Sequence, residues 1–98
     1  NKAMNDKVLN LLGLAKRARK IVTGEDAVLM ELRKQNLKIV FVANDSSAKT
    51  IDNFERKCFF YHCLLNKDYS SSELSHAIGQ NRKIIVVIDE GFSKEMII

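Results

Sequence analysis

The run KIVFVA, residues 38–43, decides the fold. Apolar side chains follow one another there without the polar alternation of a half-solvated strand. Such a run reads as a strand buried on both faces. KIIVVID, residues 83–89, repeats the pattern, and FFYHCLL, residues 59–65, reads as another strand of the same kind. Ile21–Thr23 is a shorter strand candidate. A sheet with two apolar faces needs helices on both of them.

The intervening segments supply those helices. In Asp6–Ala18, the residues Val8, Leu11, Leu12 and Ala15 recur at i, i+3, i+4 and i+7. Asn5 or Asp6 can cap this helix. Gly13 inside it costs about 1 kcal/mol against Ala, so a close-packed neighbour is expected there. Gly24–Gln35 reads as the second helix, with Glu25 and Asp26 in its first turn and Val28 and Leu32 facing inward. Arg33 and Lys34 are expected in its last turn, with Asn36 as the stop. Ser46 or Ser47 caps a third helix to about Lys57, whose buried face is Ile51, Phe54 and Cys58. Ser70 and Glu73 form a capping box for a fourth helix, with Leu74, Ala77 and Ile78 inward and Gly79 at its end. Glu90–Ile98 reads as a short last helix. The order α-β-α-β-α-β-α-β-α predicts a three-layer α/β/α sandwich about a central four-stranded mixed sheet. The 98 residues contain no proline, low-complexity tract or linker, so one domain is expected over 1–98. Met4 fits a start residue, which would make 1–3 extraneous.

No apolar run approaches the roughly 18 residues of a membrane span, and no signal-peptide pattern opens the chain. A cytoplasmic location is expected. Cys58 and Cys63 read as reduced thiols in or near the core. With His62 they lack a zinc spacing and a fourth ligand, so no metal is expected. The charge is unevenly placed. Residues 1–24 carry six Lys and Arg against one acid, while residues 25–98 carry ten against eleven. The basic excess is therefore a local patch, as phosphate recognition requires. A solvated helix end would also favour such cations.

Enzyme signatures are missing. There is no G-x-G-x-x-G, no P-loop and no G-x-S-x-G elbow. His62 and His76 have no nucleophile or orienting acid beside them in sequence, so neither reads as a catalytic base. No enzyme activity and no cofactor are expected. One constellation remains: AKRARKIVTGEDAV, residues 15–28. Lys16, Arg17, Arg19 and Lys20 can neutralise phosphates. Thr23 and Gly24 then lead into a helix N-terminus. A glycine permits close backbone approach, and free N–H groups suit an anion or an acceptor edge. The loop GQNRK, residues 79–83, offers Gly79, Asn81 and Arg82 as a second contact, and Lys49 follows the NDSS turn.

The stretch LLGLAKRARKIVTGEDAVLMELRKQNLKIVFVANDSS, followed by KC, SSELSHAIG and VVIDEGFSK, resembles the ribosomal-protein family of the L-seven-Ae type. Within it, the chain looks like the small bacterial YlxQ-like branch. The resemblance covers about Val8 to Lys94. It implies an α/β/α sandwich that binds structured RNA, typically kink-turns, in ribosomes or other ribonucleoproteins. The partners implied are ribosomal or other non-coding RNA, with the ribosome and translation or transcription factors as further candidates. A monomer is expected. The family motif G-x-N-E-x-x-K would begin at Gly24, which places Glu25 and Asp26 among the expected contacts. Asp26 stands at its Asn position, Ala27 at its Glu position and Met30 at its Lys position. An ionised Asp accepts hydrogen bonds and cannot donate them. Ala27 offers no acceptor, and Met30 removes a cation. A non-catalytic RNA-binding module is the expected function. A protein-interaction adaptor that kept the fold but lost kink-turn recognition is the alternative.

Overall fold

A computed structural model of the chain describes residues 6–97. Its elements are α1 (Lys7–Arg17), β1 (Ile21–Thr23), α2 (Glu25–Leu32), β2 (Ile39–Val42), α3 (Ala48–Tyr61), β3 (Leu64–Asn66), α4 (Ser71–Ile78), β4 (Ile84–Val87) and α5 (Glu90–Glu95). The expected alternation is present. The cap candidate Asn5, the start candidate Met4 with residues 1–3, and Ile98 lie outside the described residues.

The sheet order is β1-β4-β2-β3. β4 runs antiparallel to both β1 and β2, while β2 and β3 are parallel, so the sheet is mixed. Every residue of β2 and β4 is buried. Alternation along these strands sends Ile39, Phe41, Ile85 and Val87 to one face, with α1, α4 and α5. Val40, Val42, Ile84 and Val86 go to the other, with α2 and α3. The helices meet these faces with the residues their spacing predicts: Val8, Leu12 and Ala15 from α1, Val28 and Leu32 from α2, Phe54 and Cys58 from α3, Leu74 and Ile78 from α4. At Gly13, a Cβ would stand 2.9 Å from the backbone carbonyl oxygen of Ala77, so α1 and α4 touch where the sequence implied a close neighbour.

Several elements differ from expectation. FFYHCLL is not one strand. Phe59, Phe60 and Tyr61 are the last turn of α3, which passes Lys57, and β3 holds only Leu64–Asn66. The helical period that runs through Ile51, Phe54 and Cys58 continues to Tyr61, which packs on the same cluster. Apolar content does not distinguish a strand from a helix end; the period does. His62 then ends the helix in the left-handed region at φ 60°, and the Cys63 N–H donates to the Cys58 carbonyl at 2.9 Å. The second helix stops at Leu32, not Gln35, and its last turn contains no basic residue. Lys38 explains the early stop. It is 1% exposed, and its ammonium donates to the carbonyls of Lys34 and Asn36 and to Asn36 Oδ1. These bonds fold residues 33–37 into a bend around a buried charge. The last helix also ends early, at Glu95.

Candidate nucleic-acid interface

Because β4 opposes β1 and β2, the ends of β1 and β2 meet the start of β4. The Gly24 N–H donates to the Ile84 carbonyl at 3.1 Å, and the Ala43 N–H to the Lys83 carbonyl at 2.9 Å. Three connections converge there: β1 to α2, β2 to α3, and α4 to β4. Glu25, Ser46, Ser47, Thr50, Lys83 and Ile84 line a shallow hollow between them.

The N-terminus of α2 differs from the others at this end and elsewhere. Among the described residues, Asp6, Ser47, Ser70 and Asp89 each cap a helix through a side chain. Gly24 caps α2 without one, at φ 93° and ψ 147°. This conformation belongs to glycine. The first-turn N–H groups of α2 are therefore left to solvent or a ligand. Glu25 and Asp26 flank them and are exposed, as are Ala27 and Met30. The carboxylates offset the helix dipole but also oppose an incoming phosphate.

Arg82 joins this turn from the second loop. Its Nε donates to Thr23 Oγ1 at 3.1 Å, and its Nη1 to the Asn81 carbonyl at 2.9 Å. The loop itself is held by Ser75, whose hydroxyl accepts from the Arg82 N–H at 3.0 Å and donates to the Arg82 carbonyl at 3.1 Å. Gly79 starts the loop in the left-handed region at φ 72°. The two loops named from sequence thus form one surface. Ser75 is a positioning residue that sequence did not reveal, because a serine on a helix carries no sign of the loop it will hold. Asp45 has a similar role. It accepts from the Ser71 hydroxyl at 2.8 Å and the Ser71 N–H at 3.0 Å. These bonds, the hydroxyl's first, hold its carboxyl below the usual range, and Lys83 adds to the effect.

The cationic cluster lies at the other end of β1. The Lys20 carbonyl accepts from the Ile88 N–H at 2.9 Å, beyond the last residue of β4. Four strand steps separate Lys20 from Gly24, about 13 Å. Arg19 adopts φ 60°, rare for a residue with a side chain. The Arg19 N–H donates to the Lys16 carbonyl at 3.0 Å and the Lys20 N–H to the Ala15 carbonyl at 2.8 Å. This is the Schellman pattern, with arginine where glycine is usual. Arg17 lines a groove between α1 and α4 with Leu9, Asn10, Gly13, Ser72, Glu73, His76 and Ala77. Lys16 is half-buried and Arg17, Arg19 and Lys20 are exposed. Lys49, in the first turn of α3, is exposed beside the hollow but does not line it. The sequence candidates therefore divide into a turn-and-loop surface around Gly24 and a basic bend that begins β1.

The family described as ribosomal protein L7Ae/L30e/S12e/Gadd45 matches residues 6–97. The chain belongs to this family. A relative from Enterococcus faecium, called RNA-binding protein YlxQ, is 38% identical over 95 residues, covering 97% of this chain and 92% of that protein. RNA-binding protein YlxQ of Bacillus subtilis is 39% identical over 88 residues, covering 89% of this chain and 88% of the relative. A solved structure of a Bacillus halodurans C protein with unknown function superposes with a TM-score of 0.84 at 32% identity, covering 92% of each chain. The L7Ae/L30e/S12e/Gadd45 assignment agrees with the resemblance seen in the sequence and with the sandwich architecture. Among the described residues, no cluster of three or more His, Cys, Asp or Glu is arranged for a metal, and no helix is long and apolar enough to cross a membrane.

Proposed function

We propose that this chain is a non-catalytic RNA-binding module that holds structured RNA on the surface around Gly24. The observation that carries this reading is the uncapped N-terminus of α2 with Arg82 bonded to Thr23 beside it. Backbone donors and a guanidinium are thereby aimed at one place. Relatives named RNA-binding proteins support it. Arg17, Arg19 and Lys20 flank the surface and attract phosphate at the far end of β1, with Lys16 behind them. Lys49 extends it towards α3. Asp26 and Glu25 accept from donor edges such as the guanine N2 amino group in a minor groove. This recognition uses acceptors where the family motif would also donate, so base reading is weaker than phosphate and shape recognition. The RNA is ribosomal or another structured non-coding species, and the module acts in the cytoplasm as a monomer, on its own or on a ribonucleoprotein.

Mobility-shift titration against a kink-turn RNA and a plain duplex tests the reading. Binding to either is expected, with the logarithm of affinity falling linearly with log salt at a slope of about −0.9 per phosphate neutralised on a duplex. Alanine at Arg17, Arg19 and Lys20 together should flatten that slope. No binding at low salt, or binding untouched by these substitutions, would sink it. A second reading is a protein-interaction adaptor that retains the fold. Ala27 and Met30, the latter 70% exposed, favour it by replacing polar side chains on the surface where RNA would be read.

A further inference from the structure

The groove between α1 and α4 joins the two groups of contacts, the basic bend and the turn at Gly24. The two helices run side by side in the same direction. Tyr69, just before α4, donates its hydroxyl to Asp6 at the start of α1, and Gly13 packs on the Ala77 carbonyl further along both. Arg17, one turn past Gly13, therefore stands where α4 nears its end. His76 lines the groove with it and is exposed. The residue before His76 is Ser75, which holds the Arg82 loop. Polar groups thus run from Arg19 and Lys20, through Arg17 and His76, to Arg82 and Thr23.

The groove, about 510 Å³, is divided chemically along its length. Arg17 and His76 hold one end, and the ion pairs among the described residues leave Arg17 out. Asn10, Ser72 and Glu73 hold the other end, near the start of α4. Glu73 accepts from the Ser70 N–H at 2.9 Å through one carboxylate oxygen, and its charge opposes a phosphate there. A hydroxyl suits that end instead, since Glu73 accepts while Asn10 and Ser72 both donate and accept. His76 follows Glu73 by three residues, about 5–6 Å along one helix face. An RNA backbone carries a phosphate and a 2′-hydroxyl one sugar apart, and DNA lacks the hydroxyl. A run of carboxylates on an acidic peptide would suit Arg17 and His76 but meet Glu73. We infer, resting on the RNA-binding reading above, that the groove holds one ribose-phosphate unit of the bound RNA. Its phosphate lies between Arg17 and His76, and its 2′-hydroxyl faces Glu73, Ser72 and Asn10. The basic bend and the Gly24 turn then grip one RNA across the last turn of α4.

The test is an NMR titration of the isotope-labelled full chain at low salt with the kink-turn RNA and, separately, the plain RNA duplex. Saturable shifts are expected at Asn10, Arg17, Ser72 and His76 as well as at Thr23, Gly24 and Arg82. His76→Ala and Ser72→Ala, both at exposed positions, should each weaken RNA binding on the order of fivefold, the worth of one hydrogen bond. The loss from Ser72→Ala should disappear on a DNA duplex of the same sequence, whose binding rests on phosphate. Shifts at Thr23, Gly24 and Arg82 with none in the groove would overturn the groove contact and leave the RNA-binding reading standing. No shift with either RNA would remove both. An equal loss on RNA and DNA from Ser72→Ala would remove the hydroxyl contact, and the same groove shifts from a hexaglutamate peptide would give the groove to an acidic protein segment.

Discussion

Arg19 keeps a side chain in a backbone conformation that favours glycine, at a cost of about 1 kcal/mol. The cation is thereby held in the bend between α1 and β1. Arg19→Gly should raise stability in urea denaturation by about 1 kcal/mol and lower RNA affinity, because the bend relaxes while a cation is lost. Unchanged affinity in the titration would remove Arg19 from the contact set. Gly24 presents the converse case. No atom lies within 4 Å of where its Cβ would be, so space is not the constraint. Its φ of 93° is, and Gly24→Ala should cost about 1–3 kcal/mol by thermal or urea denaturation. The glycine at this turn could be singled out from sequence. The strained arginine could not, since αL geometry at Arg19 follows from how α1 must turn into β1.

At the scale of elements, the α1–α4 contact is set by Gly13. A Cβ there would meet a backbone carbonyl at 2.9 Å, which cannot swing aside like a side chain. Gly13→Ala should therefore destabilise by about 1–3 kcal/mol in urea, against the gain of about 1 kcal/mol that helix propensity alone would give. A stabilised variant would show that the two helices separate freely. The same contact orients Ser75 and the α4–β4 loop, so this substitution should also disturb the tie between Arg82 and Thr23. The helices were legible because their apolar stripes and caps are local. The ends of α2 and α3 were not. Lys38 reaches back four residues to bend the chain after Leu32, and Phe59 and Phe60 look like strand residues until the helical phase of Phe54 and Cys58 is extended past them.

At the scale of the whole molecule, two buried groups link the layers to pH. Burial, with Cys63 adding to it, pushes the Cys58 thiol from about 9 up to about 12. Burial also raises Tyr69, whose hydroxyl donates to Asp6 at 2.8 Å and so ties α1 to the segment before α4. Each group is neutral in the fold at a pH where the unfolded chain already ionises. Both contributions are thus complete below pH 9; that of Cys58 is lost as pH rises from 9 to about 12 and that of Tyr69 as pH rises above 10, by at most about tenfold in the folding constant per pH unit for each group. Denaturation at stepped alkaline pH should show this decline, and Cys58→Ala and Tyr69→Phe should each flatten it. A constant stability across that range would contradict the burial of these two groups.

The sequence by itself determined the layers. Strands apolar on every residue demand cover on both faces, and the amphipathic helices between them provide it, because periodicity and burial are properties of neighbours along the chain. It also singled out Gly24 and the basic run as a candidate binding frame. Only the tertiary structure decided which of those residues share a surface. Reversal of β4 between β1 and β2 brings Arg82 onto Thr23, 59 positions away, while the length of β1 keeps Lys20 from Gly24. Strand order and direction depend on contacts between distant segments, and those contacts leave no periodic trace in the chain.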